Sequence, residues 1–100
     1  MIEGNYTKEE VSAAFKAIQS SICDGLEALD GQKNFSSDAW QHNDGGGGLS
    51  RVITNGGVFE KGGVNFSAVE GPLPEFMKQR ITSGATHFFA TGVSLVMHPH

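Results

Sequence analysis

Two side chains near the end of the chain have the chemistry to hold a ligand: the Ser94 hydroxyl and the His98 imidazole. On a strand, residues four apart share a face, and at roughly 3.3 Å per residue they stand about 13 Å apart. No G-x-S-x-G turn surrounds Ser94, so it reads as a hydrogen-bond donor to a ligand and not as a nucleophile. His42, His87, His98 and His100 are the histidines present. They show neither H-E-x-x-H nor Cys/His zinc spacing. Strand histidines are most often structural, and His98 stands out because it shares the face of Ser94. Arg51 follows the glycine run 45–48. Backbone N–H groups of such a run can cradle an anion with Arg51 as counter-charge. The same run can equally be a structural turn, the commoner outcome. Neither G-x-x-x-x-G-K-[ST] nor a G-x-G-x-x-G opening a helix occurs, which argues against nucleotide binding.

The elements that must position these groups can be read from periodicity. Thr7 and Glu10 have the spacing of a capping box, and Tyr6 and Val11 that of a hydrophobic staple. Val11, Phe15, Ile18, Ile22, Leu26 and Leu29 step by three or four, which predicts one helix with an apolar stripe against a sheet. Gly31 is a left-handed stop. Residues 35–42 form a candidate strand, and 43–48 (NDGGGG) a turn or loop. Three short strand-like segments follow. Leu49 to Thr54 is the first, Asn55-Gly56 signals a hairpin, and Val58 to Lys61 is the second. Gly62-Gly63 marks a bulge or bend before a third at 64–69. Gly71-Pro72-Leu73-Pro74 breaks the sheet, and Pro74 opens a short helix to about Ile81, ended by Ser83-Gly84. The last strand runs from His87 to His98. Its Phe89, Thr91, Val93, Leu95 and Met97 face is bulky and should meet helices. Its Phe88, Ala90, Gly92, Ser94, Val96 and His98 face reads as the floor of a cavity.

One hundred residues allow one domain, 1–100. The net charge of −4 argues against a nucleic-acid partner. No apolar run is long enough to span a membrane. The acidic start lacks an apolar segment, so it resembles neither a secretory signal nor a transit peptide, which points to a cytoplasmic chain. Cys23 is alone and reads as a small apolar helix residue. Glu60 and Lys61 point to opposite strand faces, either as exposed charges or in a subunit contact.

Three blocks carry a family resemblance: Phe35…Trp40, then GGGGLSRVITNGGVFEKGGVNFSAVEG (45–71), then FATGVSLVMHPH (89–100). In order and wording they resemble the oxygen-dependent coproporphyrinogen III oxidases. Gly62 stands where alanine is common in that family. The resemblance implies an α+β fold, a large flat antiparallel sheet flanked by helices on both faces, of which this chain is the N-terminal part. It implies a homodimer, with Val52, Ile53, Val58, Phe59, Glu60 and Lys61 near the subunit contact. It also implies oxidative decarboxylation of two propionates of coproporphyrinogen III to vinyls, with molecular oxygen as co-substrate and no organic cofactor.

Carried over by position, Ser94 matches a substrate-contacting serine. His98 matches a histidine assigned as a divalent-metal ligand in bacterial members. The family's proton-donor histidine falls beyond His100, so no catalytic residue maps onto this chain. On physical grounds alone, Arg51 is a candidate neighbour of a substrate carboxylate. A segment of this length is expected to turn nothing over without the missing C-terminal part. The rival reading is a truncated, non-catalytic homologue that holds a tetrapyrrole or pairs with a partner chain.

Overall fold

The computed structural model describes residues 6–80 and 84–100. Helix α1 (Lys8–Asp30) is followed by strands β1 (Ser36–Gln41), β2 (Gly46–Thr54) and β3 (Phe59–Pro72). A single short turn of helix, α2 (Glu75–Lys78), precedes β4 (His87–Pro99). The four strands form one antiparallel sheet in the order β1-β2-β3-β4, so each strand pairs with its sequence neighbour. The α+β class with an antiparallel sheet is therefore as expected. Among the described residues α1 covers one face and no helix covers the other.

Local chemistry fixes the ends of α1. The Glu10 amide donates to Thr7 Oγ1 at 3.1 Å and the Thr7 amide returns to Glu10 Oε1 at 3.4 Å, completing the capping box. At the other end Gly31 turns left-handed (φ 77°) and its N–H reaches the Glu27 carbonyl at 3.0 Å. The buried line of the helix differs from the expected stripe. Ile18 and Leu29 are 46% and 63% exposed, whereas Gln19, Cys23 and Asp30 are buried. Two polar residues displace apolar ones here because the sheet offers them backbone partners. Gln19 Nε2 donates to the carbonyls of Leu49 (2.7 Å) and Val64 (3.0 Å), bridging β2 and β3 from above.

The core lies between α1 and the sheet. Cys23, Phe35, Ile53, Phe59 and Val64 form it, with Ile22, Leu26, Val93 and Met97 packed against them. On β4 the predicted alternation holds for Val93 and Met97, which pack on the core, and for Ser94 and Val96 on the open side, but Leu95, on the face expected to meet helices, is 48% exposed.

Two expectations about the glycines need correction. Residues 46–48 are not loop but the start of β2, paired with β1 and β3. Only Gly46 (φ 81°) and Gly45 have left-handed backbones at the turn. Gly48 is needed for close approach, since a Cβ there would run into the Trp40 ring and the Phe66 carbonyl. Likewise Gly62-Gly63 is not a break. β3 runs straight through both, opposite Ile53 and Val52, and the irregularity falls earlier, between Phe59 and Lys61. The segments read as two strands are thus one. Gly71 and Pro72 also remain in the sheet, opposite Phe88 and His87. The short helix ends at Lys78, with Gln79 as its C-cap, before the expected Ile81; the expected stop at Ser83 lies outside the described residues.

The β2–β3 hairpin loop is anchored from outside the sheet. Asn55 takes a positive φ of 53°, and the Asp30 carboxylate accepts from the amides of Gly57, Val58 and Phe59 at 3.0, 2.9 and 3.0 Å. From the far end of the chain, His100 Nε2 lies 2.8 Å from the Gly56 carbonyl, and the His100 amide donates to the Val58 carbonyl at 3.1 Å.

Candidate functional site

Residues opposite each other in an antiparallel register share a face. That rule, applied to the pairing, yields a polar row across the open side. Asp38, Ser50, Asn65 and Ser94 stand abreast on β1, β2, β3 and β4. The adjacent row is Trp40, Gly48, Ser67 and Gly92. Its small members leave a shallow depression of about 230 Å³ bordered by Asn65, Ser67, Ala90, Gly92 and Ser94. On the other side of the polar row, Val52, Gly63 and Val96 lead to Thr54, Lys61 and His98, which border a second depression of about 300 Å³.

The polar row is internally ordered. Asn65 Oδ1 accepts from Ser50 Oγ at 2.9 Å and from Trp40 Nε1 at 3.4 Å. Trp40 lies across Gly48, its cross-strand partner, which places the indole N–H beside Asn65. Asn65 and Ser50 were not singled out from the sequence, and Trp40 only as part of a family block. The available signal was an asparagine inside a strand, a residue strands disfavour unless a specific contact uses it.

Ser94 sits on this open face, beside a depression, as the reading of β4 required. His98 is also there, opposite Lys61. Arg51 is not. It pairs with Val64 of the core and so points under α1, separated from Ser94 by the thickness of the sheet. Arg51 alternates in step with Leu49 and Ile53 along β2, and that parity puts it in the core-facing register. Its Nε is buried without a hydrogen-bond partner, as is Gln19 Oε1. Burial pushes the Cys23 thiol up from its ordinary range, opposed in part by the Arg51 guanidinium. Cys23 is therefore a neutral core residue, as read from the sequence.

A divalent metal finds poor support at His98. Among the described residues no three His, Cys, Asp or Glu side chains gather into a ligand set. The cross-strand neighbour of His98 is the Lys61 ammonium, which disfavours a cation and suits an anion. The residues present do not fit a metal site by themselves.

The residues suggested for a subunit contact fall into two groups. Ile53 and Phe59 are 1% and 7% exposed, inside this chain's own core, so their side chains are not available to a second subunit. Val52, Val58, Glu60 and Lys61 are exposed. Strand β2 and the start of β3 are interior to the sheet, so any contact there uses the open face or the hairpin tip and not edge pairing.

An antiparallel meander with a helix packed on one face and an ordered polar row on the other defines a sheet of the α+β class. The family model described as coproporphyrinogen III oxidase matches residues 10–100, and the chain belongs to that family. It is 47% identical over 95 residues to the oxygen-dependent coproporphyrinogen-III oxidase of Synechococcus sp. (strain CC9605), covering 93% of this chain and 26% of that protein. The corresponding protein of Prochlorococcus marinus (strain MIT 9312) is 43% identical over 95 residues, covering 93% and 28%. The chain thus spans about a quarter of the length of these curated relatives.

Proposed function

We propose that this chain supplies the sheet floor of an oxygen-dependent coproporphyrinogen-III oxidase. The substrate is coproporphyrinogen III and the product protoporphyrinogen IX. For each of two propionic acid side chains, one O₂ is reduced to H₂O₂, one CO₂ leaves, and the C–C–COOH unit becomes a vinyl group. Molecular oxygen is the electron acceptor and no organic cofactor takes part. The enzyme works as a homodimer in the cytoplasm, with Val52, Val58, Glu60 and Lys61 as the contact side chains this segment can offer.

The observation that carries this reading is the position of Ser94, on the sheet face opposite α1 and beside a depression. The part assigned to these residues is binding and orientation. Ser94 donates to the tetrapyrrole. His98, at the other end of the same face, offers a ring nitrogen for a hydrogen bond to a second acidic group. The acid–base step is not assigned to any described residue. Coproporphyrinogen III binding and oxygen-dependent vinyl formation by the full-length protein, with and without Ser94→Ala, test the reading. A weaker affinity in the variant supports it. Unchanged affinity removes Ser94 from the pocket, and absence of conversion by the unsubstituted full-length protein defeats the enzymatic reading in favour of a non-catalytic tetrapyrrole binder.

A further inference from the structure

We infer that Asn65 is a second binding residue, which pairs with Ser94 to hold one propionate carboxylate of the tetrapyrrole. The inference rests on the function proposed above and adds a residue to it. It starts from the indole of Trp40. An indole N–H donates and never accepts. The amide atom of Asn65 facing Trp40 Nε1 must therefore be the oxygen, and Ser50 Oγ, 2.9 Å from the same atom, donates to it as well. With the oxygen engaged twice, the orientation of the amide is set. Its Nδ2 is turned away from both partners, and nothing among the described residues accepts from it.

Asn65 and Ser94 are direct cross-strand partners, a relationship that brings Cβ atoms to about 4.5–5.5 Å. Both border the depression of about 230 Å³, and both also border the neighbouring one that runs towards Val52 and Val96. The face thus presents an amide donor and a hydroxyl donor side by side with no protein acceptor. Two donors at this spacing match the two oxygens of a carboxylate, and hydrogen bonds to a charged acceptor are the strong ones. The surrounding Ser67, Ala90 and Gly92 are small enough to let a tetrapyrrole ring approach. Trp40 and Ser50 are positioning residues: they touch Asn65, not the ligand.

The variant that separates roles is Asn65→Asp. It keeps an oxygen towards Trp40 and Ser50 but turns the outward donor into an acceptor with negative charge. Binding is read in the full-length protein by fluorescence titration with coproporphyrin III, which carries four carboxylates, and with its tetramethyl ester in the same detergent-containing buffer. Asn65→Asp is expected to weaken coproporphyrin III at least about tenfold, while the ester shifts by less than about threefold. An equal shift for both ligands, or none for the free acid, overturns the assignment. Should Asn65→Asp fail to fold, Trp40→Phe carries the test. Loss of the indole donor frees the amide to rotate, and a weakening of about threefold is expected for the free acid alone. No change in that variant overturns the inference. Failure of the unsubstituted protein to bind either porphyrin defeats the tetrapyrrole reading itself, whereas binding indifferent to Asn65 defeats only the role of Asn65.

Discussion

The Asp30 carboxylate accepts the Phe59 amide at 3.0 Å, joining the last turn of α1 to the first residue of β3. The same carboxylate also takes the amides of Gly57, Val58 and Lys33. These bonds, with Phe59 first among them, hold its acidity well outside the usual carboxylate range on the low side. A carboxylate whose folded pKa lies below its unfolded value stabilises the fold above the unfolded pKa, about 3.9. That contribution is lost as pH falls through and below that value. Asn at position 30 keeps the size but removes the charge. Asp30→Asn should lower the melting temperature at pH 7 by several degrees, and the gap to the unsubstituted chain should narrow in melts carried below pH 4. A constant gap across that window contradicts the clamp.

Arg51 faces the core side of the sheet, so its loss should act on stability and not on ligand affinity. Arg51→Met retains most of the buried stem and removes the partnerless Nε. Porphyrin affinity is expected to stay within about twofold, and stability within about 1 kcal/mol of the parent or above it. A tenfold fall in affinity, with an unchanged melt, would return Arg51 to the binding face.

Gln19 is a buried polar side chain that closes two strand carbonyls at once. Gln19→Leu fills similar volume but removes both bonds that tie the helix to β2 and β3, together with the partnerless Oε1. Loss of about 2–3 kcal/mol is expected in chemical denaturation. A neutral outcome would mean that water or a neighbouring donor replaces the amide.

Gly48 lies under the Trp40 ring. Gly48→Val must push the indole aside or part β1 from β2, costing about 1–3 kcal/mol. Because Trp40 orients Asn65, the same substitution should weaken coproporphyrin III binding beyond what the loss of stability explains. Gly62→Ala is the milder contrast. The group in its way is the thioether end of Met97, which can swing clear, so a change below about 1 kcal/mol is expected in the same denaturation series.

The parts legible in the sequence were those where side chains advertise their period. Thr7 and Glu10 marked the start of α1, Gly31 its end, and the alternation through β4 put Ser94 and Val93 on the correct faces. The run 45–48 concealed its strand because glycines carry no side chain to show a two-residue repeat. Arg51 was grouped with that run as an anion-binding counter-charge, although its two-residue spacing from Leu49 and Ile53 already put it on their face. Gln19 and Asp30 were hidden for the opposite reason. Polar residues on a helix are read as solvent-facing, and only the approach of strand carbonyls and hairpin amides draws them inward. Ile53 and Phe59 show the remaining limit. An apolar side chain in a strand announces burial without saying whether its own chain or another provides the cover.

Trp40 is the one tryptophan in these 100 residues, and its indole nitrogen is 3.4 Å from the oxygen of Asn65. Nature has therefore placed a fluorophore at the rim of the polar row. A porphyrin settling there absorbs where an indole emits, so the part of the tryptophan emission that Trp40→Phe removes would report occupancy in real time, without a dye and without turnover.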